Sequence, residues 1–208
     1  MTSDLESEIL ALRSKKLTSK QIARKLALKI SQVNSAIKAS AQKDALAKAD
    51  SNELPPVAQC LVNNKCVELL LQNKGDKKDR FGGLGIVLVS RDIGYERFVV
   101  CTYMVDYWCL GLKDTIGEKK LNGIKYQQFR NKVYQGFSGE YQEISLKQAQ
   151  AIVFGAIAYA ESLGFKPHRD FRKTKKHLGI WDGQPQLTFG RDGKPFFIEG
   201  PCQHPAIN

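Results

Sequence analysis

The sequence predicts an α+β or α/β protein: a three-helix module, then a mixed α/β domain with two β-hairpins and a long helix packed on the sheet. Three observations predict this class. Apolar residues recur at helical spacing three times before residue 45. Apolar runs at 86–89 and 98–105 flank a turn, which is typical of a buried β-hairpin. Residues 145–163 carry the longest helical repeat of apolar residues in the chain.

Two adjacent prolines divide the chain. Pro55 and Pro56 end any preceding helix, and the stretch before them is rich in alanine, lysine, serine and aspartate. A chain of 208 residues is long enough for a small module and a larger domain. We therefore expect a module over 1–45, a linker over 46–56 and a mixed domain over 57–208.

The sequence predicts some elements of the second domain more clearly than others. The segment 57–71 is apolar and fits a strand or a helix, whereas 113–143 is polar with a short helix near Phe129. Ser145 and Gln148 have capping-box spacing, and they predict the start of the long helix. The pair Asp192-Gly193 predicts the turn of a second hairpin over 186–199.

Three helices are predicted in the module. The first covers residues 4–14. Thr18 is followed three residues later by Gln21, which is the capping-box pattern at the start of a helix. Ser31 is the predicted cap of the third helix.

The apolar positions of the second and third helices have a specific spacing. Seven residues separate Leu26 from Val33, and four separate Val33 from Ile37. That spacing places the apolar side chains on facing sides of a tight turn, as in a helix-turn-helix. In that motif the outer face of the last helix is free to enter a DNA groove.

The run from Gln21 to Leu26, with Val33 and Ile37, resembles the helix-turn-helix of resolvases, transposases and many bacterial regulators. The resemblance implies DNA binding by the third helix. Those families usually carry glycine in the turn, and the matching residue here is Ala27. Alanine fits that position at modest cost if the turn stays right-handed.

Charge favours a polyanionic partner. The net charge is +11, and nine Lys or Arg residues lie from Arg13 to Lys43 with no Asp or Glu between them. Such an excess attracts nucleic acid first and an anionic membrane surface second. We expect DNA more than RNA to be the partner. The side chains predicted to contact phosphates or base edges are Lys20, Arg24, Lys25, Lys29, Gln32, Asn34, Ser35 and Lys38.

A second basic cluster covers residues 165–177. Its predicted nucleic-acid contacts are Arg172, Lys173, Lys175 and Lys176. Phe165 and Phe171 alternate with the cations, and aromatic rings beside cations can stack on the bases of single strands. The alternative is a solvated helix face whose phenylalanines point into the core.

A catalytic function is the alternative to simple binding. Asp106, Asp114, His168 and Asp170 could hold Mg²⁺ or Mn²⁺ for phosphodiester hydrolysis, although nothing in their spacing requires it. Cys109 with His168 as base is a second arrangement. We favour a non-enzymatic protein without a cofactor. A further alternative is an adaptor that contacts a protein partner, or a second copy of itself, in a nucleoprotein complex.

Several classes are not expected. No apolar stretch approaches the length of a transmembrane helix, and the acidic, polar start does not fit a signal peptide, so we expect a cytoplasmic protein. The five cysteines include no pair two residues apart, which disfavours a disulfide framework or a zinc ribbon.

The second domain resembles an uncharacterised bacterial family. The resembling stretches are VDYWCLGLKD at 105–114, AYAESLGFKPH at 158–168 and FGRDGKP at 189–195. This resemblance implies no activity.

Overall fold

The computed structural model of the protein describes residues 3–37, 39–40, 54–74, 83–137 and 139–197. The chain divides into two compact units, Met1–Leu54 and Pro55–Asn208. The division falls within the predicted linker, most of which (46–53) lies outside the described residues. The predicted fold class is confirmed, since three helices precede a five-stranded antiparallel sheet with a long helix packed on it.

The first unit closes a small apolar core between three helices. They are α1 (Ser3–Ser14), α2 (Ser19–Lys25) and α3 (residues 30–37, with 39–40 also helical). Each helix contributes two buried residues, which lie three positions apart in α1 and α3 and next to each other in α2. These residues are Ile9, Leu12, Ile22, Ala23, Val33 and Ala36.

Side chains cap both short helices, in one case differently from our prediction. The capping box of α2 is confirmed: Thr18 Oγ1 accepts the Gln21 N–H at 3.3 Å, and Gln21 Oε1 accepts the Thr18 N–H at 2.8 Å. Ser31 does not cap α3, because the helix already begins at residue 30. Instead Gln32 Oε1 accepts the N–H of Lys29 at 2.9 Å.

The turn between α2 and α3 is left-handed at Ala27. Its φ is +53°, so the right-handed turn in which alanine would fit at modest cost is not the one that forms. The left-handed residue lets the Leu28 N–H reach back to the Ala23 carbonyl at 2.9 Å, which satisfies the end of α2. A non-glycine residue in this conformation costs roughly 1–2 kcal/mol. Packing of Leu28 against the apolar core of the unit offsets that cost.

Replacing Ala27 by glycine is expected to stabilise the first unit. The variant Ala27→Gly relieves the left-handed strain and should raise the free energy of unfolding by roughly 0.5–1 kcal/mol, measured by far-ultraviolet circular dichroism. Ala11→Gly in the exposed face of α1 is the control, and it should destabilise by a similar amount. A loss of stability in Ala27→Gly would contradict this account of the turn.

The second unit is built on one antiparallel sheet in the order β4-β3-β2-β1-β5. The strands are β1 (Val57–Asn63), β2 (Leu84–Asp92), β3 (Arg97–Asp106), β4 (Gly111–Asn122) and β5 (Tyr141–Glu143). The predicted hairpin is confirmed, with Val89 opposite Cys101 in the β2–β3 pair. Alternate residues of these strands enter two separate cores, one on each face of the sheet.

Helices cover both faces. After β1 come α4 (Asn64–Cys66) and a π-helical turn (Val67–Leu71), which resolves the ambiguous 57–71 segment. The long helix α6 (Leu146–Ser162) packs across one face, together with α7 (Phe171–Leu178) against β4. The opposite face carries α5 (Gly123–Tyr134), whose Tyr126 and Tyr134 are buried against Leu88 and Val100. The predicted start of α6 is confirmed, because Ser145 and Gln148 form its capping box.

Two expectations for this unit need correction. The polar stretch 113–143 hides β4, a twelve-residue strand at the edge of the sheet with few buried side chains. An edge strand pairs with a neighbour on one side only and its other side faces solvent, so charged residues are tolerated along it. The predicted second hairpin is reduced, over the described residues 186–197, to the Asp192-Gly193 turn and one bridge between Arg191 and Lys194.

Candidate functional site

The first candidate surface is the outside of α2 and α3, here called the N-terminal face. It consists of the predicted contact residues that the structure describes, and every one of them is solvent-exposed. They are Lys20, Arg24, Lys25, Lys29, Gln32, Asn34 and Ser35. Lys38, also predicted as a contact, lies outside the described residues. The apolar residues of the same helices point inward, so the face is polar and cationic throughout except at Ile30, which is 47% exposed.

The cap of α3 changes the roles of two residues on this face. Bidentate pairing with adenine needs both the oxygen and the nitrogen of a side-chain amide. The oxygen of Gln32 is held by Lys29, so Gln32 acts as a cap rather than a base-reading residue while that bond persists. Ser31 lies inside α3 and is exposed, one turn before Ser35. Sequence reasoning missed Ser31 as a surface residue because serine is such a common helix cap.

The second candidate surface is α7. Its inner side is buried through Phe171, Thr174, His177 and Leu178. Its outer side exposes the four predicted cations, Arg172, Lys173, Lys175 and Lys176. With Lys166 and Arg169, which are exposed just before the helix, they form what we call the α7 ridge. Phe171 is 7% exposed and belongs to the core, as the alternative interpretation held. Phe165 is 41% exposed and does not.

Three distant side chains hold α7 in place. The Tyr103 hydroxyl donates to the Thr174 carbonyl in the middle of the helix at 2.9 Å, Arg91 Nε donates to the His177 carbonyl at 2.9 Å, and Gln150 Nε2 donates to the Leu178 carbonyl at 2.8 Å. The last carbonyls of a helix have no partner within it. Arg91 and Gln150 supply partners for the last two of them, so the end of α7 is fixed to the sheet and to α6.

Two buried ionisable residues belong to this anchor, and sequence reasoning missed both. Arg91 is 5% exposed and also donates from Nη1 to the Pro55 carbonyl at 2.7 Å. His177 is 2% exposed, its Nε2 lies 3.0 Å from the Val89 carbonyl, and burial lowers its pKa to about 4. A neutral His177 therefore donates Nε2–H to Val89. More than 80 residues separate Arg91 from His177, and His177 from Val89, so no local pattern reveals these hydrogen bonds.

The Arg91 anchor predicts a selective loss of stability. A lysine ammonium lacks the planar fork that places Nε and Nη1 of Arg91 against two separate carbonyls, so Arg91→Lys should lose or weaken one of these buried bonds and lower the free energy of unfolding by about 2–4 kcal/mol. Both tryptophans of the chain, Trp108 and Trp181, lie in the second unit, so urea denaturation followed by tryptophan fluorescence reports on that unit alone. Arg97→Lys, at the exposed start of β3, is the control and should change stability by less than about 0.5 kcal/mol. Equal losses in the two variants would contradict the anchor.

Burial of neutral His177 predicts a pH dependence. The unfolded chain binds a proton at His177 near its ordinary pKa of 6.5, whereas the folded chain resists protonation down to about pH 4. Stability is therefore fully present above pH 6.5 and falls as the pH is lowered from 6.5 to about 4, by about 3 kcal/mol at most from this residue. Denaturation of the wild type and of His177→Gln across this range tests the claim. If the free energy of unfolding falls with pH equally steeply in the wild type and in His177→Gln, the claim is wrong.

The four candidate catalytic residues come together only in part. His168 Nδ1 lies 3.9 Å from Asp114 Oδ1 and 3.9 Å from Asp170 Oδ2. Asp170 also receives a hydrogen bond from Lys173 at 2.8 Å, which lowers the pKa of its carboxyl group. Asp106 has another role, since its Oδ1 accepts the N–H groups of Trp108 and Cys109 and shapes the turn after β3.

The chemistry expected of this cluster lacks support in the described part of the chain. Within those residues no group of three or more His, Cys, Asp or Glu side chains is arranged to hold a metal ion. Cys109 is 5% exposed, and burial raises the pKa of its thiol, which opposes the thiolate that a nucleophile requires.

A cavity of about 610 Å³ lies beside the turn after β3. Its walls include Leu70, Tyr107, Trp108, Gln148 and Asp192. The stretches 105–114 and 189–195 meet here, because the Gly190 N–H donates to the Tyr107 carbonyl at 2.9 Å. The volume suits a small molecule. The walls mix apolar and polar groups in a way that singles out no ligand.

No model of a protein family, no curated protein and no solved structure matches the chain. Within the ranges that the structure covers, we find no helix with the length and apolar character needed to cross a bilayer.

Proposed function

We propose that this protein binds duplex DNA through the N-terminal face, with the beginning of α3 in the major groove and α2 against the backbone. The observation that carries the proposal is the division of α2 and α3 into two sides. Every described residue predicted to contact DNA is exposed, while Ile22, Ala23, Val33 and Ala36 are buried. A helix that only closed a core would not need an outer face of this composition.

Charge supports the same partner. The segment from Arg13 to Lys43 carries nine cations and no acid, so nothing within it neutralises the face. Phosphate contacts by lysine and arginine supply most of the sequence-independent affinity of DNA-binding proteins, and each contact adds to the salt dependence. Lys20, Arg24 and Lys25 on α2 are the cations that we assign to the backbone.

Sequence readout falls to the outer side of α3. Asn34 can pair bidentately with adenine, and Ser31 and Ser35 can donate to or accept from base edges. Ile30, an exposed apolar side chain at the start of the helix, suits a thymine methyl group. We therefore propose a preference for sites with A·T pairs. A dimer with half-sites about 34–36 Å apart is the usual arrangement for such motifs, and it remains part of the proposal, as does a cytoplasmic location.

The test measures binding of the full chain to a randomised duplex library and to single selected duplexes at rising salt. The variant Arg24→Glu with Lys25→Glu should lower the salt slope by about two and the affinity by at least about tenfold. The control is Lys125→Glu with Lys132→Glu, which makes the same change in charge at exposed positions of α5. Asn34→Ala should reduce the preference for selected over random duplexes by about 1–3 kcal/mol.

Three results would overturn the proposal. They are binding to no duplex at low salt, equal losses in the α2 and α5 variants, and tighter binding to RNA than to DNA under the same conditions.

A further inference from the structure

We infer that the α7 ridge is a second nucleic-acid contact, which binds the phosphodiester backbone of a duplex without reading its sequence. It lies in the second unit and is built from different residues than the N-terminal face. It therefore extends the proposed function and does not require it, since either surface can bind without the other.

The charge of the ridge is concentrated and exposed. Residues 165–177 contain six lysine or arginine residues and one acid, Asp170. All six cations are solvent-exposed. Asp170 is committed to Lys173 at 2.8 Å, and the nearby Asp114 approaches His168 rather than a cation of the ridge. In the described part of the chain no acid pairs with four other cations of the ridge, which are Lys166, Arg169, Arg172 and Lys175.

The ridge is also held in place before any ligand arrives. Arg91 and Gln150 each donate to a carbonyl in the last turn of α7, and Tyr103 donates to the Thr174 carbonyl in its middle. Thr174 Oγ1 lies 2.9 Å from Thr115 Oγ1 on β4, which fixes the middle of the helix. A helix that is already ordered loses little backbone entropy when it binds, so its cations contribute more of their attraction to affinity.

The form of the ridge distinguishes nucleic acid from the other polyanions. A helix that binds a membrane surface inserts its apolar side into the bilayer. The apolar side of α7 is already buried in the core of the unit, through Phe171 and Leu178. A single strand would need rings along the helix on which to stack its bases, and α7 itself exposes none, since Phe171 is buried and the exposed Phe165 lies before the helix. A convex row of cations suits the regular phosphates of a duplex.

The experiment measures binding of the full-length chain to a duplex of mixed sequence by fluorescence anisotropy over a salt series. The test variant is Arg172→Glu with Lys175→Glu, and Arg172→Gln with Lys175→Gln is its milder form. The matched control is again Lys125→Glu with Lys132→Glu on α5, which covers the opposite face of the sheet. Circular dichroism and tryptophan fluorescence verify that each variant is folded.

We expect both forms of the Arg172 and Lys175 variant to lower the salt slope by about two, because each loses two phosphate contacts. The reversal should lower the affinity by about tenfold and the neutral form by less, and the control should change neither slope nor affinity. An unchanged α7 variant, or an equal loss in the control, overturns the inference. Binding to polyglutamate or to vesicles of phosphatidylserine and phosphatidylcholine that depends on Arg172 and Lys175, with duplex binding intact, also overturns it.

The variant Arg24→Glu with Lys25→Glu, measured in the same series, separates the two surfaces. If only that variant loses affinity, the inference about α7 fails and the proposed function stands. If only the α7 variant loses affinity, the proposed function fails and the inference stands.

Discussion

The carbonyl groups at the end of α7 are the constraint on which the second unit depends. A short helix with four cations on its outer side has little intrinsic reason to stay folded. Arg91 on β2 and Gln150 on α6 donate to the last two of those carbonyls, and Tyr103 on β3 holds the middle of the helix through the Thr174 carbonyl. Arg91 also binds the Pro55 carbonyl, so one guanidinium group joins the first residue of the unit to its last described helix.

In the first unit, too, buried contacts hold the helices in place while their outer sides are charged, and fewer residues are involved. Six buried side chains from three helices close its core, and the caps at Thr18 and Gln32 satisfy the helix starts. Ala27 takes a left-handed conformation that glycine would adopt at lower cost. The inward side of each helix supplies stability, and the outward side is left free to carry charge.

Local sequence patterns predicted much of this fold. Features that depend on contacts between distant residues could not be predicted from the sequence. The pair Ser145 and Gln148 marks the start of α6 because a capping box acts within four residues, and the apolar runs of β2 and β3 are long enough to be recognised. β4 was missed because an edge strand exposes most of its side chains, so its sequence looks like a loop. The tail shows the opposite error, since Asp192-Gly193 makes its turn without two paired strands.

The candidate site divides in the same way. The exposed cations of α2 and α7, and Lys29 just before α3, were predicted from sequence because most charged side chains are exposed. The cap at Gln32 was not predicted, since it depends on where α3 begins, and helix boundaries are set by such contacts. Asp114, His168 and Asp170 approach one another across 56 residues of sequence, and only the fold determines that Asp106 turns to the backbone instead.

We propose that two cationic surfaces, each supported by the core of its own unit, bind nucleic acid. The most direct measurement is amide hydrogen exchange of the full chain, followed peptide by peptide with and without duplex DNA. We expect slower exchange in peptides covering α2, α3 and α7, and unchanged exchange in α5. Protection confined to α5, or no protection anywhere at a DNA concentration that saturates binding, would contradict this proposal.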